Sequence, residues 1–260
     1  MNEFENKTIL VTGSGKGLGT AIAIEAAKRG CNVVVHYKTN EENAKKVFEE
    51  VKATGVKAIL CYADLGIQED IDKMYDTIEK EFGGVDILVN NAAMQYQLKF
   101  DGYSLEQMKR IFNVNLGGYL SMSKKCIPYM EKNNWGRIIN ISSVHAKRPT
   151  NFDPGYSMTK GSIKMLTREL AIETARSHIT VNAIELGYVD VGAKSGNPAE
   201  IYPENWQDKY SPLFNLRVLP VWDRLITQEE VGKAVMFFAS DDSRSITGSS
   251  IRLDDGATLL

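Results

Sequence analysis

Residues 7–30 read KTILVTGSGKGLGTAIAIEAAKRG and place a short apolar run, a glycine-rich turn and an alanine-rich segment in direct succession. The apolar run is typical of a buried strand, and the isoleucines and alanines after Gly19 recur at helical spacing. Gly30 stands where the helix would end, since glycine readily adopts the positive φ of that position. This order predicts an opening that binds the pyrophosphate of a dinucleotide, because glycines allow close backbone approach and a helix N-terminus attracts anions.

The glycines of this turn follow the spacing GxxxGxG at Gly13, Gly17 and Gly19. This spacing is not GxGxxG, and it is not a Walker loop, because Lys16 is followed by Gly17 and not by Ser or Thr. A flexible turn is the alternative interpretation. The position between a strand and a helix favours phosphate binding.

The alternation of apolar runs and amphipathic segments continues along the chain. The further predicted strands lie near residues 31–37, 57–64, 85–92, 136–142, 179–185 and 249–256. Regular βα alternation is typical of a parallel sheet with right-handed crossovers. The sequence therefore predicts an α/β fold: a single-domain, doubly wound (Rossmann) parallel sheet of about seven strands with helices on both faces.

The alternation stops after Gly187. Residues 188–224 are rich in proline and aromatic residues, and so long an insertion within a compact domain is either functional or disordered. The aromatic content favours packing, so we interpret this segment as a lid over a ligand. No linker or internal repeat interrupts the chain, and one catalytic domain over 1–260 is expected.

Composition excludes several classes of function. The formal net charge is −2 and no terminus carries a block of like charge, so nothing favours nucleic acid or an anionic membrane as a partner. The longest apolar run is far below the ~18 residues of a membrane span, and the acidic N-terminus does not resemble a signal peptide. Three isolated cysteines and three scattered histidines lack disulfide or metal-ligand spacing. We expect a cytoplasmic protein without a metal.

Three polar side chains at fixed offsets, Ser143, Tyr156 and Lys160, carry the candidate chemistry. Tyr156 and Lys160 are four residues apart at the start of a predicted helix, so both project from one face. A phenol has an unperturbed pKa of about 10, and a nearby ammonium lowers it. Ser143 ends the preceding strand, where it could hydrogen-bond a substrate oxygen. A solvated helix face is the alternative until the rest of the chain is considered.

Seven motifs in register resemble the short-chain dehydrogenase/reductase family over essentially the whole chain. They are Thr12-Gly13…Gly17-Leu18-Gly19, Asp64-Leu65, Asn90-Asn91-Ala92-Ala93, Asn115, Ser143, Tyr156…Lys160 and Asn182…Gly187. Each motif alone is weak. Seven in the right order are hard to reach by chance, so we identify the chain as a member of that family.

The resemblance implies a catalytic tetrad of Asn115, Ser143, Tyr156 and Lys160. Tyr156 would act as general acid and base, and Lys160 would lower its pKa and hold the ribose hydroxyls. Ser143 would orient the substrate oxygen, and Asn115 would hold a water that relays protons. Because the cofactor supplies the hydride, the protein needs only a proton donor, charge tuning and alignment.

The resemblance also implies the cofactor contacts. They are Gly13, Ser14, Lys16, Gly17, Leu18, Gly19, Lys38, Asp64, Leu65, Asn91, Ala92, Tyr156, Lys160 and Val189. NAD-binding members typically end the second strand with an acidic residue that accepts from the adenosine ribose. Here Tyr37 and Lys38 stand there, with Lys16 in the glycine turn. Two cations suit a 2′-phosphate, so NADP(H) is expected over NAD(H); merely solvated lysines are the alternative.

The chain departs from the family pattern at four positions. The family usually has Gly at 93 and 255, Pro at 186 and Thr at 191, whereas this chain has Ala93, Asp255, Leu186 and Val191. Loss of the proline and the threonine hydroxyl predicts a looser lid or an altered nicotinamide pose. The intact tetrad favours activity.

The substrate is less well indicated. The segment around Tyr156 looks most like glucose 1-dehydrogenases and 3-oxoacyl-carrier-protein reductases. The residues expected to face the substrate are Gln95, His145, Asn151 and Tyr188, a polar set that suits a sugar or polyol. For His145, simple exposure is the alternative.

Two other functions stay open at this point, together with the assembly. Lys124, Lys125, Lys132 and Arg137 could dock an acidic carrier protein, which would favour a 3-oxoacyl-carrier-protein reductase. A non-catalytic NADP-binding sensor is the alternative from a different class. Family members are commonly tetramers, so a homotetramer is expected.

Overall fold

The computed structural model describes residues 3–148, 153–191 and 225–258. The strands are β1 Thr8–Val11, β2 Asn32–Tyr37, β3 Ala58–Tyr62, β4 Ile87–Asn90, β5 Gly136–Ser143, β6 Ile179–Leu186, β7 Val189–Asp190, β8 Ile226–Thr227 and β9 Ser250–Leu253. The helices are α1 Leu18–Lys28, α2 Glu41–Lys52, α3 Gln68–Phe82, α4 Leu105–Phe112, α5 Gly118–Lys132, α6 Pro154–Thr174 and α7 Gln228–Ala239.

Seven of these strands form one sheet in the order β3-β2-β1-β4-β5-β6-β9, and every pairing within it is parallel. The order reverses at β1, which pairs with β2 on one side and β4 on the other. This is the doubly wound topology, and the predicted α/β fold class is confirmed. In such sheets ligands bind in the crevice at the carboxyl ends of the strands, at the point of reversal.

Two hydrophobic cores cover the two faces of the sheet. One joins apolar residues of α1, α2 and α7 to one face, and the other joins residues of α3, α5 and α6 to the opposite face. The central strand β1 is buried along its whole length. Strands buried on both faces read as continuous apolar runs without alternation, which explains why they stand out in the sequence.

The long helical stretch predicted near residues 105–131 is interrupted. A single π-helical turn, Asn113–Gly117, separates α4 from α5. Single π-turns inside helices occur frequently at functional sites. Here the turn carries Asn115.

Most of the predicted lid, residues 192–224, lies outside the described residues. At its borders, β7 and β8 pair in parallel, with Val189 opposite Ile226. The assignment of one domain over 1–260 therefore stays a prediction. No helix within the described ranges is long and apolar enough to cross a bilayer.

Candidate active site

The glycine turn lies between the end of β1 and the start of α1. Gly13 and Gly17 have φ values of +70° and +58°, a region that side-chain-bearing residues rarely adopt. At Gly19, a Cβ atom would lie 2.5 Å from the carbonyl oxygen of Gly13 and 2.8 Å from the Cα of Ser14. The turn is therefore packed against itself.

His36 holds this turn in place, a role that the sequence did not reveal. Its Nδ1 accepts the Gly13 N–H at 2.7 Å, and its Nε2 lies 3.0 Å from the carbonyl oxygen of Ala63. Burial lowers the pKa of His36 to about 4, so the ring is neutral near pH 7. The Nε2–H tautomer satisfies both contacts. The available signal is a histidine within the otherwise apolar core of β2, where a polar ring needs partners.

Ser14, predicted to contact the cofactor, has its hydroxyl directed into the protein. Its Oγ accepts the His36 N–H at 2.9 Å, and the residue is fully buried. Asn91 is similarly engaged, with Nδ2 donating to the Thr12 carbonyl oxygen at 2.8 Å. Thr12 Oγ1 in turn accepts the N–H groups of Asn91 and Ala92. These contacts join the ends of β1 and β4 at the crevice.

A cavity of about 700 Å³ runs from the glycine turn past β3 to the loop after β4. The predicted cofactor residues that line it are Gly13, Lys16, Gly17, Leu18, Gly19, Lys38, Asp64, Leu65, Asn91 and Ala92. Four predicted contacts, Ser14, Tyr156, Lys160 and Val189, are not among the lining residues, whereas Val191 is. The position of Val189 within the short β7–β8 pair explains this difference, since Val189 packs against one of the two cores.

Two cations bind the carboxylate of Asp64, which lines this cavity. Lys38 Nζ lies 2.9 Å from its Oδ2, and Arg110 Nη2 lies 2.6 Å from both carboxylate oxygens. Burial alone would raise the pKa of Asp64, but the hydrogen bonds from Arg110, Lys38 and the Gly66 N–H outweigh it and lower the pKa to about 2. Arg110 comes from α4, and no sequence pattern indicated it.

Ser143, Tyr156 and Lys160 come together where β5 ends and α6 begins. Ser143 and Tyr156 share a side-chain hydrogen bond, and Lys160 Nζ lies 5.5 Å from the centre of the Tyr156 ring. The His145 ring packs at 6.4 Å against the Tyr156 ring. The sequence spacing therefore predicted this grouping correctly.

Lys160 is 1 % exposed. Its Nζ donates to the Ile141 carbonyl oxygen at 2.7 Å and to the Tyr119 hydroxyl at 3.4 Å. The Tyr119 hydroxyl also donates to the Ile141 carbonyl oxygen, at 3.0 Å. Burial lowers the pKa of Lys160 to about 7. Tyr119 was not singled out from the sequence, because a tyrosine on an amphipathic helix is usually a packing residue.

The pKa of Tyr156 differs from the sequence expectation. Burial raises it, the hydrogen bond with Ser143 lowers it, and the negative charge of Asp153 raises it. Lys160 does not lower this pKa, because burial lowers the pKa of Lys160 to about 7 and its amine is therefore neutral at the pH where the phenol ionises. A phenol with a raised pKa is a proton donor at neutral pH.

Asn115 is fully buried in the π-turn. Its Oδ1 accepts the Met94 N–H at 2.8 Å, and its Nδ2 donates to the Met94 carbonyl oxygen at 2.9 Å and to Thr159 Oγ1 at 3.2 Å. Both side-chain amide hydrogens are thus used. Asn115 links the loop after β4 to α6, close to Lys160.

Comparison with known proteins supplies the family. The sequence model of the short-chain dehydrogenases matches residues 7–200, which includes the glycine turn, the cavity and the Ser143, Tyr156 and Lys160 grouping. This protein is a short-chain dehydrogenase. Members bind a nicotinamide dinucleotide, and the glycine turn packed against the start of α1 fits its pyrophosphate.

Curated relatives cover nearly the whole of this short-chain dehydrogenase. Glucose 1-dehydrogenase 2 of Bacillus subtilis is 35% identical over 99% of this chain and 96% of its own. 3beta-hydroxysteroid dehydrogenase 1 of Eggerthella lenta is 34% identical over 99% of this chain and 96% of its own. The 3-oxoacyl-acyl-carrier-protein reductase FabG of Staphylococcus epidermidis is 30% identical over 96% of this chain and 98% of its own. The protein is therefore an NAD(P)-dependent oxidoreductase of hydroxyl and carbonyl groups.

The residues predicted to face the substrate of this short-chain dehydrogenase are only partly described. His145 is half-buried and its Nδ1 lies 2.9 Å from the Arg148 carbonyl oxygen, so it is not simply an exposed histidine. Tyr188 is half-buried beside β7, and Gln95 is exposed. Asn151 lies outside the described residues.

The departures from the family pattern have distinct surroundings. Leu186 is buried at the end of β6, opposite Leu253, and Val191 is exposed at the cavity. Ala93 also lines the cavity. Asp255 has a φ of +48°, the left-handed conformation that suits glycine and that aspartate tolerates. The usual glycine at 255 is thus replaced by a residue that can keep its backbone conformation.

The basic patch proposed for carrier-protein docking is not a continuous surface. Arg137 is 2 % exposed, and its Nη2 lies 2.6 Å from Asp241 Oδ1. Lys125 Nζ lies 2.8 Å from Asp72 Oδ1. Both cations are used within the protein.

Proposed function

We propose that this short-chain dehydrogenase is an NADP(H)-dependent oxidoreductase that interconverts an alcohol and a carbonyl on a small polar substrate, such as a sugar or polyol. The observation that carries the proposal is the grouping of Ser143, Tyr156 and Lys160 at the start of α6, a helix that Asn115 links to Met94 at the edge of the cavity. The nicotinamide would supply or accept the hydride. The residues of this chain would bind, orient and exchange protons.

Tyr156 is the proposed acid–base group. In reduction its hydroxyl would protonate the carbonyl oxygen, and in oxidation its phenolate would accept the hydroxyl proton. Ser143 would hold the same substrate oxygen, since its side chain already bonds with Tyr156. A positioned acid–base group of this kind contributes about 10²–10⁴-fold to the rate.

Lys160 is proposed to contact the ribose hydroxyls and to favour the phenolate electrostatically. For this the ammonium would turn from Ile141 and Tyr119 toward the cavity. Asn115 is proposed as the anchor of the proton relay. Because both of its side-chain hydrogens are donated to protein groups, its main-chain carbonyl oxygen is the group proposed to hold the relay water.

The preference for NADP(H) is proposed from charge. Lys16 and Lys38 line the cavity, Arg110 lies beside it through its contact with Asp64, and Tyr37 stands where an NAD-selective member would carry an acid. Lys38 is paired with Asp64, but Arg110 contacts both oxygens of that carboxylate. Lys38 can therefore move to a 2′-phosphate while Asp64 keeps a cation.

The proposed substrate class is supported by His145 next to Tyr156 and by the relative named glucose 1-dehydrogenase. Reduction of a 3-oxoacyl thioester is the second candidate, and the relative FabG favours it. Carrier docking through Lys125 of α5 and Arg137 of β5 is disfavoured because each is paired with a carboxylate of this protein. A cofactor sensor without turnover is the third.

A substrate panel tests these functions together. Purified protein is mixed with NADP⁺ or NAD⁺ and sugars, polyols, 3-hydroxy acids and hydroxysteroids, and with NADPH or NADH and acetoacetyl thioesters, while nicotinamide absorbance is followed. Turnover of polyols or sugars with a higher kcat/KM for NADP⁺ supports the proposal. Turnover of thioesters alone supports the reductase. Tight NADPH binding without turnover of any compound supports the sensor.

We also propose a cytoplasmic homotetramer in which residues 188–224 of a single domain cover the substrate. Met158, Met165 and Ile172 recur every seven residues on the exposed side of α6, which is consistent with a helix that packs against a second copy. By contrast, the stripe Ile163, Leu166 and Leu170 faces the core. Light scattering coupled to size-exclusion chromatography would measure the assembly.

A further inference from the structure

Asp153 places a carboxylate in the interior, directly before α6, where it is 1 % exposed. Its Oδ1 accepts the Tyr156 N–H at 3.0 Å, as the N-cap of the helix. Its Oδ2 accepts the N–H groups of Tyr96 at 3.0 Å and of Gln97 at 3.1 Å. The Tyr103 hydroxyl donates to Oδ1.

Asp153 accepts more hydrogen bonds than an N-cap of α6 requires. A serine or asparagine would cap α6 equally well, whereas a buried carboxylate is costly unless several donors surround it. Three of the donors belong to the loop between β4 and α4, whose Met94 lines the cavity. Tyr96 and Tyr103 of the same loop pack edge-to-face at 5.8 Å. The carboxylate of Asp153 thus joins the loop between β4 and α4 to the first turn of α6, the helix that contains Tyr156.

The same carboxylate lies among the groups that set the charge around Tyr156. Lys160 faces the phenol from α6, Ser143 from the end of β5, His145 from the turn after β5 and Tyr119 from α5. Burial first, and then the hydrogen bond to Asp153, raise the pKa of Tyr103, so Tyr103 stays a neutral donor. The hydrogen bond of Ser143 lowers the pKa of Tyr156, and the negative charge of Asp153 raises it.

We propose that Asp153 is a positioning residue that fixes the loop of residues 91–104 to the start of α6, and whose negative charge disfavours the phenolate form of Tyr156. The fixing of the loop does not depend on the reaction. The effect of the charge on turnover rests on the function proposed above, in which Tyr156 exchanges the proton.

Hydrogen exchange tests, without any substrate, whether Asp153 fixes the loop. In Asp153→Asn, one acceptor oxygen remains for the N–H groups of Tyr96, Gln97 and Tyr156, so one side of the link between the loop and the helix is lost. Exchange in peptides covering residues 94–104 or the first turn of α6 should become about tenfold faster, as expected when an amide loses its hydrogen bond. Tyr103→Phe should have the same effect to a smaller degree.

Asp241→Asn is the matched control, because it makes the same chemical change. Asp241 pairs with Arg137 at the opposite end of β5 from Ser143. This variant can lose stability through the buried arginine, but exchange in residues 94–104 should not change. If Asp153→Asn folds and leaves this exchange at the wild-type rate, the loop half of the proposal is wrong.

A spectroscopic titration tests the charge half, again without a substrate. The absorbance change at 295 nm reports phenolate formation, and subtraction of the same background carrying Tyr156→Phe isolates Tyr156. Asp153→Asn should lower the midpoint of this titration by about one pH unit, because a nearby negative charge is removed. Asp153→Glu keeps the charge and should restore the wild-type midpoint while exchange in the loop stays fast.

An unchanged midpoint in folded Asp153→Asn, with or without lower stability, would mean a purely structural role and overturn the charge half. If Asp153→Asn does not fold, Tyr103→Phe decides, since it leaves the carboxylate less neutralised and should raise the midpoint; no change there contradicts the proposal. Failure of the proposed function can be told apart from failure of this proposal. In that case hydrogen exchange and the titration midpoint would still change as expected, but the protein would turn over no alcohol or carbonyl.

Discussion

The Nζ of Lys160 lies 2.7 Å from the carbonyl oxygen of Ile141, so the lysine is held by the strand next to its own helix. The Tyr119 hydroxyl donates to the same oxygen and accepts a longer contact from Nζ. A desolvated ammonium needs such acceptors, since burial lowers the pKa of Lys160 to about 7. The proton affinity of this amine thus depends on a tyrosine from α5.

Tyr119→Phe should lower the pKa of Lys160 further, because the ammonium loses an acceptor while the ring remains. The amine would then be neutral over more of the pH range and would favour the phenolate less. The ascending, acid-side limb of the pH profile of kcat/KM for alcohol oxidation, which reports formation of the phenolate, should move to higher pH by roughly half a unit, and stability should fall by about 1 kcal/mol. A profile identical to that of wild type would show that Tyr119 only fills space.

Tyr156→Phe should reduce kcat by about 10²–10⁴-fold, since the proton would have no positioned donor or acceptor. Cofactor affinity should change less than about threefold, because the phenol acts on the substrate. Kinetics and fluorescence titration with NADPH separate the two quantities. Tyr129→Phe, the same change on α5, is the control and should retain wild-type kcat; substantial activity in Tyr156→Phe would contradict the assignment of the proton donor.

Replacement of both cavity lysines, Lys16→Ala with Lys38→Ala, should weaken NADPH binding much more than NADH binding. The 2′-phosphate loses two charge-assisted contacts, each worth about 1.5–3 kcal/mol. The ratio of kcat/KM for NADPH over NADH should therefore fall by at least tenfold. Lys46→Ala, which removes an exposed cation of α2 paired with Glu42, should leave that ratio unchanged. Wild-type enzyme that prefers NADH would defeat the premise.

His36 predicts a pH dependence of stability. Burial lowers its pKa from 6.5 to about 4, so in acid the unfolded chain takes up a proton before the folded chain does. Its contribution is complete above pH 6.5 and is lost as the pH falls from 6.5 to 4, by about 3 kcal/mol at most, since each pKa unit corresponds to about 1.4 kcal/mol.

His36→Asn removes this titration, so its free energy of unfolding should be lower at pH 7 and fall less between pH 6.5 and 4. Urea denaturation across that window measures both. The control is His178→Asn at an exposed position with a φ of +53°, a conformation that asparagine tolerates. It should retain the wild-type slope. Equal slopes for all three proteins would show that His36 is not the responsible group.

The sequence predicted those parts of the site that depend on local spacing. Ser143 ends a strand, and Tyr156 and Lys160 are one helical turn apart, so the fold brings them together once the βα order is known. The glycine turn is predictable for the same reason. The parallel sheet could also be predicted from the apolar strands, because parallel strands covered on both faces contain few polar residues.

Contacts between distant segments could not be predicted in this way. Arg110 reaches Asp64 across 46 residues, and Asp153 reaches Tyr96 across 57, so no local pattern contains either pair. The pKa of Tyr156 was expected in the wrong direction because a sequence shows the neighbouring ammonium but not the burial of both groups. Desolvation is a property of the packed chain.

The π-turn at Asn113–Gly117 makes chain length, in addition to the identity of Asn115, a constrained property of this segment. Each residue advances a helix by about 100°, so one deletion there would rotate everything downstream and carry Tyr119 away from Ile141. Single substitutions in α4 and α5 keep the helical register, whereas deletions and insertions change it. Natural variants of this protein should therefore tolerate alignment gaps in surface loops while keeping an invariant number of residues between Ser104 and Lys132.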